Sequence, residues 1–169
     1  MVLNPPQNMR FPSKGMLFGS CIFLSRGSFM IFFHATRAFA PILKKNAPGA
    51  FINISSVGGL IGIPAFGTYC ASKAAVHLLS QSVRGEMKAQ DISVLCVYPG
   101  PIDTDMTAAI QMEKESPQGV AREILRGLES SAEEIFPDKV SREFAVKYKA
   151  DAKALEREWS GMLPQPSNA

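Results

Sequence analysis

"FINISSVGGLIGIPAFGTYCASKAAV", residues 51–76, changes character twice within 26 residues. Its opening, with Ala50, is a short apolar run rich in β-branched side chains (50–55), the pattern of a buried strand. The middle, "VGGLIGIPAFG" at 57–67, is a glycine-rich loop. From Thr68 the chain turns alanine-rich, which favours helix. Ala75, Leu78, Leu79, Val83 and Met87 then recur at helical spacing and carry the helix to about Ala89. Tyr69 and Lys73 stand four residues apart on that helix, so they share a face. An ammonium near a phenol stabilises the phenolate and draws its pKa below the reference of about 10. A phenol tuned in this way is a candidate general acid or base. An isolated Tyr-x-x-x-Lys describes an exposed lysine and a half-buried tyrosine equally well, so the flanking sequence has to decide.

Working outward, "ISVLCVYPG" (92–100) is a second buried strand, broken by Pro99-Gly100. Upstream, residues 29–45 form a helix with Lys44 and Lys45 at its C-terminal end, followed by a turn at "NAPG". Downstream, "SPQGVAREILRGLES" is a helix with Ser116 as N-cap and Pro117 at its first position. "EEIFPD" supplies a short third strand, and residues 142–159 form a charged amphipathic helix. Strand, helix, strand, helix, strand is the order of an α/β fold: a parallel sheet of about three to four strands flanked by helices. Ligands in such sheets bind at the carboxyl ends of the strands. Ser55-Ser56, Tyr69 and Pro99-Gly100 all fall at or just past such ends.

Bulk properties narrow the function. The 169 residues, 46% hydrophobic, suit one domain with a substantial core. The 18 basic and 15 acidic residues are interspersed, which argues against nucleic-acid binding. Cys21, Cys70 and Cys96 form no CxxC pair and read as reduced thiols of a cytoplasmic protein, not as a zinc site or disulfide framework. His34 and His77 lack partners at ligand spacing, and Asp103 and Asp105 lack the rest of a calcium loop, so no metal is expected. The sequon at Asn53 lies in the buried strand and reads as chance. The apolar stretch 15–33 resembles a membrane anchor, but Arg26 inside it costs about 2.5–3.5 kcal/mol at a bilayer centre, and Gly19 and Gly27 weaken it further.

Four features in order give a specific likeness. A strand ends in Asn53-Ile54-Ser55-Ser56; Tyr69 follows thirteen residues after Ser56; Lys73 follows four later; and Pro99-Gly100-x-Ile102-x-Thr104 closes the next strand. From about Phe33 to Asp138 the chain resembles the C-terminal half of the short-chain dehydrogenase/reductase family. The resemblance implies a partial Rossmann-like sheet and an NAD(P)-dependent oxidation of a small alcohol or reduction of a carbonyl. It implies that Ser56 polarises the substrate oxygen and that Tyr69 passes the proton. Lys73 lowers the tyrosine pKa and holds the nicotinamide ribose, and Tyr69 also touches the nicotinamide end of the cofactor. Pro99 and Gly100 let the backbone approach the nicotinamide, the Ile102 amide binds its carboxamide, and Thr104 contacts the cofactor, NAD or NADP. The helices at 33–45 and 68–89 match those that commonly build the family's oligomer interface, which implies a homo-oligomer.

The likeness does not extend to the family's N-terminal half. "KGMLFGSC" (14–21) has Cys21 where the last glycine of a phosphate turn belongs, and the stretch up to Ser55 is too short for a βαβαβ unit. Ser28 occupies the place of an asparagine that often completes the family's proton relay. Residues 1–32 are therefore expected to be a divergent segment, with 33–169 the family-like domain and the chain an incomplete enzyme. A catalytically inactive fragment that associates with family members is the alternative. The first strand would then present a bare edge, and "MLFGSCIFL" (16–24) is apolar enough to cover it as a replacement strand beside 50–54.

Overall fold

A computed structural model describes the backbone of residues 19–161 and the side chains of residues 29–161. Three parallel strands, β1 (Gly49–Ile54), β2 (Ile92–Val97) and β3 (Glu134–Ile135), lie in the order β1-β2-β3. β1 pairs with β2 from Gly49↔Ile92 to Ile54↔Val97, and β2 with β3 at Cys96↔Glu134 and Val97↔Ile135. Helix α1 (Gly19–Lys45) precedes β1, α2 (Gly67–Met87) joins β1 to β2, α3 (Pro117–Glu129) joins β2 to β3, and α4 (Lys139–Ser160) follows.

β2 is the central strand, covered on both faces, and reads as a near-continuous apolar run for that reason. Ile92 and Val94 pack with Val83 and Met87 of α2, with Ala40 and Leu43 of α1 against the same cluster. Leu95 and Val97, on the opposite face, meet Ile135 together with Ile124 and Leu128 of α3. At the carboxyl end of β2 and just past it, Cys96 and Tyr98 join Val57, Ile61 and the α4 residues Phe144 and Leu155. Arg84 threads these layers: its Nε donates to Val94 O at 2.9 Å and its Nη2 to Glu133 O at 2.9 Å.

Ser116 caps α3 by accepting from the Gly119 amide at 3.0 Å, with Pro117 in the first turn as the sequence predicts. α4 begins earlier than the amphipathic pattern suggests. Asp138 caps it in a reciprocal pair with Ser141, and Asp151, non-helical within it, caps its second half by accepting from Lys153 N and Ala154 N.

The replacement strand is not formed. Residues 19–24 are the opening turns of α1, and 16–18 lie outside the described residues. An apolar run without strict alternation suits either state. As helix it satisfies its backbone internally, whereas an edge strand depends on a neighbour. Among the described residues no strand pairs with the outer edge of β1, and Ile52 and Ile54 remain 38% and 45% exposed.

Candidate active site

The site grows from the end of β1. Ser55 N donates to Val97 O at 2.8 Å, and Ser55 Oγ donates to Lys73 O at 2.9 Å, which ties the strand end to α2 beside the lysine. Gly59 makes that approach possible, because a Cβ there would sit 2.5 Å from Ser55 Oγ and 2.8 Å from Lys73 O. Behind it, Asn53 Nδ2 donates to Ser80 Oγ at 3.0 Å in the core, which leaves its amide inaccessible to a glycan.

Ser56 is buried. It caps the 3-10 turn Val57–Gly59 by accepting from Gly58 N at 3.1 Å, and its hydroxyl donates to Pro99 O at 3.5 Å. Tyr69, in the first turn of α2, has the Ser56 hydroxyl as the neighbour that lowers its phenol pKa. One turn later, Lys73 Nζ lies 5.8 Å from the Tyr69 ring centroid and donates to Ile54 O at 3.1 Å. The strand end, the 3-10 turn and one face of α2 thus bring Ser56, Tyr69 and Lys73 together.

The electrostatics differ from the expectation. Burial pushes the Tyr69 phenol above its ordinary value, and the neighbouring Ser56 offsets only part of that. Burial also pulls the Lys73 ammonium down. In this arrangement desolvation outweighs the attraction that was expected to favour the phenolate. At neutral pH Tyr69 is a neutral phenol, the form that donates a proton.

The turn after β2 carries the remaining residues. Pro99 and Gly100 are half-buried beside Ser56, but Gly100 serves internal packing: a Cβ there would meet Asp138 Oδ1 at 2.8 Å and Val140 Cβ at 3.2 Å. Ile102 forms a parallel bridge with Glu115 that uses the Asp103 amide, not its own (Asp103 N to Glu115 O, 2.9 Å). Thr104 is exposed and caps a 3-10 turn at Asp105–Thr107, where the Thr107 hydroxyl donates to Ile102 O. Sequence reasoning missed Thr107 and Asp138. The Asp-x-x-Ser spacing at 138–141, ahead of an apolar periodic run, is the capping signal that marks Asp138.

His77 is not the ordinary solvated residue its position suggests. Its Nδ1 lies 2.6 Å from Tyr98 Oη, with the rings edge to face. His34, Asp103 and Asp105 are exposed, and no metal-ligating cluster occurs among the described residues. Cys70 and Cys96 are buried, while the Ser28 and Cys21 side chains lie outside the described residues. No described helix is long and apolar enough to cross a membrane.

The sequence profile of the short chain dehydrogenase family matches residues 27–115, just over half of the chain. The chain belongs to the short-chain dehydrogenase/reductase family. Among curated members it is 36% identical over 103 residues to the 3-oxoacyl-(acyl-carrier-protein) reductase FabG of Haemophilus influenzae, covering 61% of this chain and 42% of that one. It is 35% identical over 95 residues to a Xanthobacter autotrophicus protein named inactive 2-(S)-hydroxypropyl-CoM dehydrogenase 2, covering 56% and 41%. A short chain dehydrogenase of Burkholderia cenocepacia, solved in complex with NADP, superposes with a TM-score of 0.80 at 28% identity, over 90% of this chain and 66% of that one. The chain thus spans about two fifths of the length of these curated family members.

Proposed function

We propose that this segment is the reacting half of an NAD(P)-dependent oxidoreductase of small alcohols and carbonyls, with Ser56, Tyr69 and Lys73 as its catalytic residues. The observation that carries the reading is Ser56 beside the Tyr69 phenol, with Lys73 on the same helical face, at the carboxyl end of a parallel sheet. The names of the family's solved structures, in complex with NADP, NADPH or NADH, support a nicotinamide dinucleotide as cofactor. The thiol of Cys96, buried in the core, fits a reducing, cytoplasmic compartment.

The donors present fit the nicotinamide end of such a cofactor. An ammonium has three N–H donors, and Lys73 spends one on Ile54 O, which leaves two for ribose hydroxyls. Pro99, Gly100, Ile102 and the exposed Thr104 would line the nicotinamide side. When bound, the cofactor supplies the hydride that no side chain can. Ser56 Oγ then holds the substrate oxygen beside the Tyr69 hydroxyl. Tyr69 gives its proton to that oxygen in reduction and must take one up in oxidation. Lys73 holds its ammonium beneath the pair.

Tyr69→Phe removes one hydroxyl and little else. In carbonyl reduction with NADH or NADPH, measured on this chain and on any longer protein containing it, turnover is expected to fall about 10²–10⁴-fold with the thermal midpoint little changed. A loss below about tenfold would remove Tyr69 from the chemistry.

A second reading has an observation of its own. Phe39 and Ile42, one turn apart on α1, and Leu78 of α2 are 56%, 52% and 60% exposed, apolar side chains that association would cover. They lie within 33–45 and 68–89, so we also propose self-association through these helices, in an active enzyme or in an inactive family member alike.

A further inference from the structure

We infer that Asp138 is a positioning residue for the Pro99–Gly100 peptide, and through it for the nicotinamide end of the site; the second clause rests on the function proposed above. The Asp138 side chain is buried, with 3% of the residue exposed, and both its oxygens are engaged. Oδ1 accepts from Ser141 N at 2.8 Å, which caps α4. Oδ2 accepts from Gly100 N at 2.8 Å, across 38 residues of sequence. A cap needs only the first of these bonds.

The second bond falls on a peptide that is held from its other side as well. Pro99 O and Gly100 N belong to the same planar unit. The oxygen accepts from Val57 N at 3.1 Å and from Ser56 Oγ at 3.5 Å, while the N–H is taken by the carboxylate. One plane is therefore fixed between the catalytic serine's turn and the start of α4. Its tilt sets the course of residues 101–104 and the direction in which the Ser56 hydroxyl points. A bond to a charged acceptor is among the stronger ones available for this. The space is closed too: a Cβ at Gly100 would collide with Asp138 Oδ1 and Val140, so Gly100 and Asp138 fit only as a pair.

Two variants separate positioning from capping. Asp138→Asn keeps an oxygen for Ser141 N but turns an amide N–H toward the Gly100 N–H. Asp138→Ser keeps a cap and is too short to reach Gly100. Amide hydrogen exchange of the 169-residue chain, followed by NMR, is expected to speed up at Gly100 by about tenfold or more in both, the scale of a lost charge-assisted bond, while the α4 amides keep their protection. Reduced nicotinamide mononucleotide, which carries only the nicotinamide end, is expected to bind several-fold more weakly to both variants than to the wild type. Unchanged exchange at Gly100, or faster exchange spread over all of α4, would overturn the positioning role. Faster exchange at Gly100 with unchanged mononucleotide affinity would confine Asp138 to the fold. A wild-type chain that binds no mononucleotide would count against the proposed function instead, and the Gly100 readout would still judge the clamp.

Discussion

Tyr69 and Lys73 carry charge chemistry in a place that disfavours charge. Burial raises one pKa and lowers the other, so both groups lean toward their neutral forms. For Tyr69 the sign for stability follows directly. Its folded pKa lies above the unfolded value of about 10, so the neutral phenol's contribution is complete below that pH and is lost as pH rises through the folded value. Tyr69→Phe should therefore lose less stability than wild type between about pH 9 and 11, measured by urea unfolding; an identical alkaline decline would show that the phenol is not desolvated. Lys73→Met removes both the ammonium and the donor to Ile54 O. It is expected to reduce turnover and cofactor affinity together, in contrast to Tyr69→Phe, which leaves affinity nearly intact. Equal loss of affinity in the two variants would contradict the division of labour.

At the scale of elements, α2 is fastened to β2 by a titratable pair. The Nδ1 atom of His77 meets the Tyr98 hydroxyl on one side of the ring, and the Gln81 amide lies 3.2 Å from Nε2 on the other. Burial lowers the His77 pKa; Glu134 opposes that shift and Arg84 adds to it, and the Cys96 thiol lies beyond Tyr98. The unfolded state then binds the proton more readily, so stability falls as pH drops through about 6.5 toward the lower folded value. Between pH 7.5 and 5.5 His77→Gln should lose less thermal stability than wild type. The difference is expected to be about 2 °C at most, because 1 kcal/mol moves a domain of this size about 2–4 °C and the ring is partly screened by solvent. A larger acid loss in the variant would reverse the sign.

The elements were legible where local rules agreed. Ser116-Pro117 announced the start of α3, and the apolar run 94–98 announced a strand covered on both faces. The Tyr-x-x-x-Lys spacing was enough to place both side chains on one face of α2, because helical geometry fixes that relation. Residues 19–24 were misread because an apolar run without alternation does not distinguish a helix from an edge strand. The His77–Tyr98 and Asp138–Gly100 bonds join residues 21 and 38 positions apart, and only the folded sheet brings those atoms into register.

For the whole molecule, two surfaces decide how the chain behaves. The exposed apolar side chains of Phe39, Ile42 and Leu78 carry the proposal that the chain self-associates. Light scattering at increasing concentration should show dimers or larger species, and Phe39→Arg with Leu78→Arg should shift them toward monomer; a monomeric wild type would contradict this interface. The other surface is the candidate active site, where the donors proposed for the cofactor among the described residues would meet its nicotinamide end. At about 0.5–1.5 kcal/mol per hydrogen bond, four or five such contacts support roughly millimolar affinity, which corresponds to about −4.1 kcal/mol. The measurement that tests the account most directly is an NMR titration of the 169-residue chain with NADH, read at the backbone amides. The account predicts a dissociation constant of about 1 mM, with shifts concentrated at Ser56, Tyr69, Lys73, Gly100 and Thr104. Micromolar binding, or shifts that leave those five residues unmoved, would contradict it.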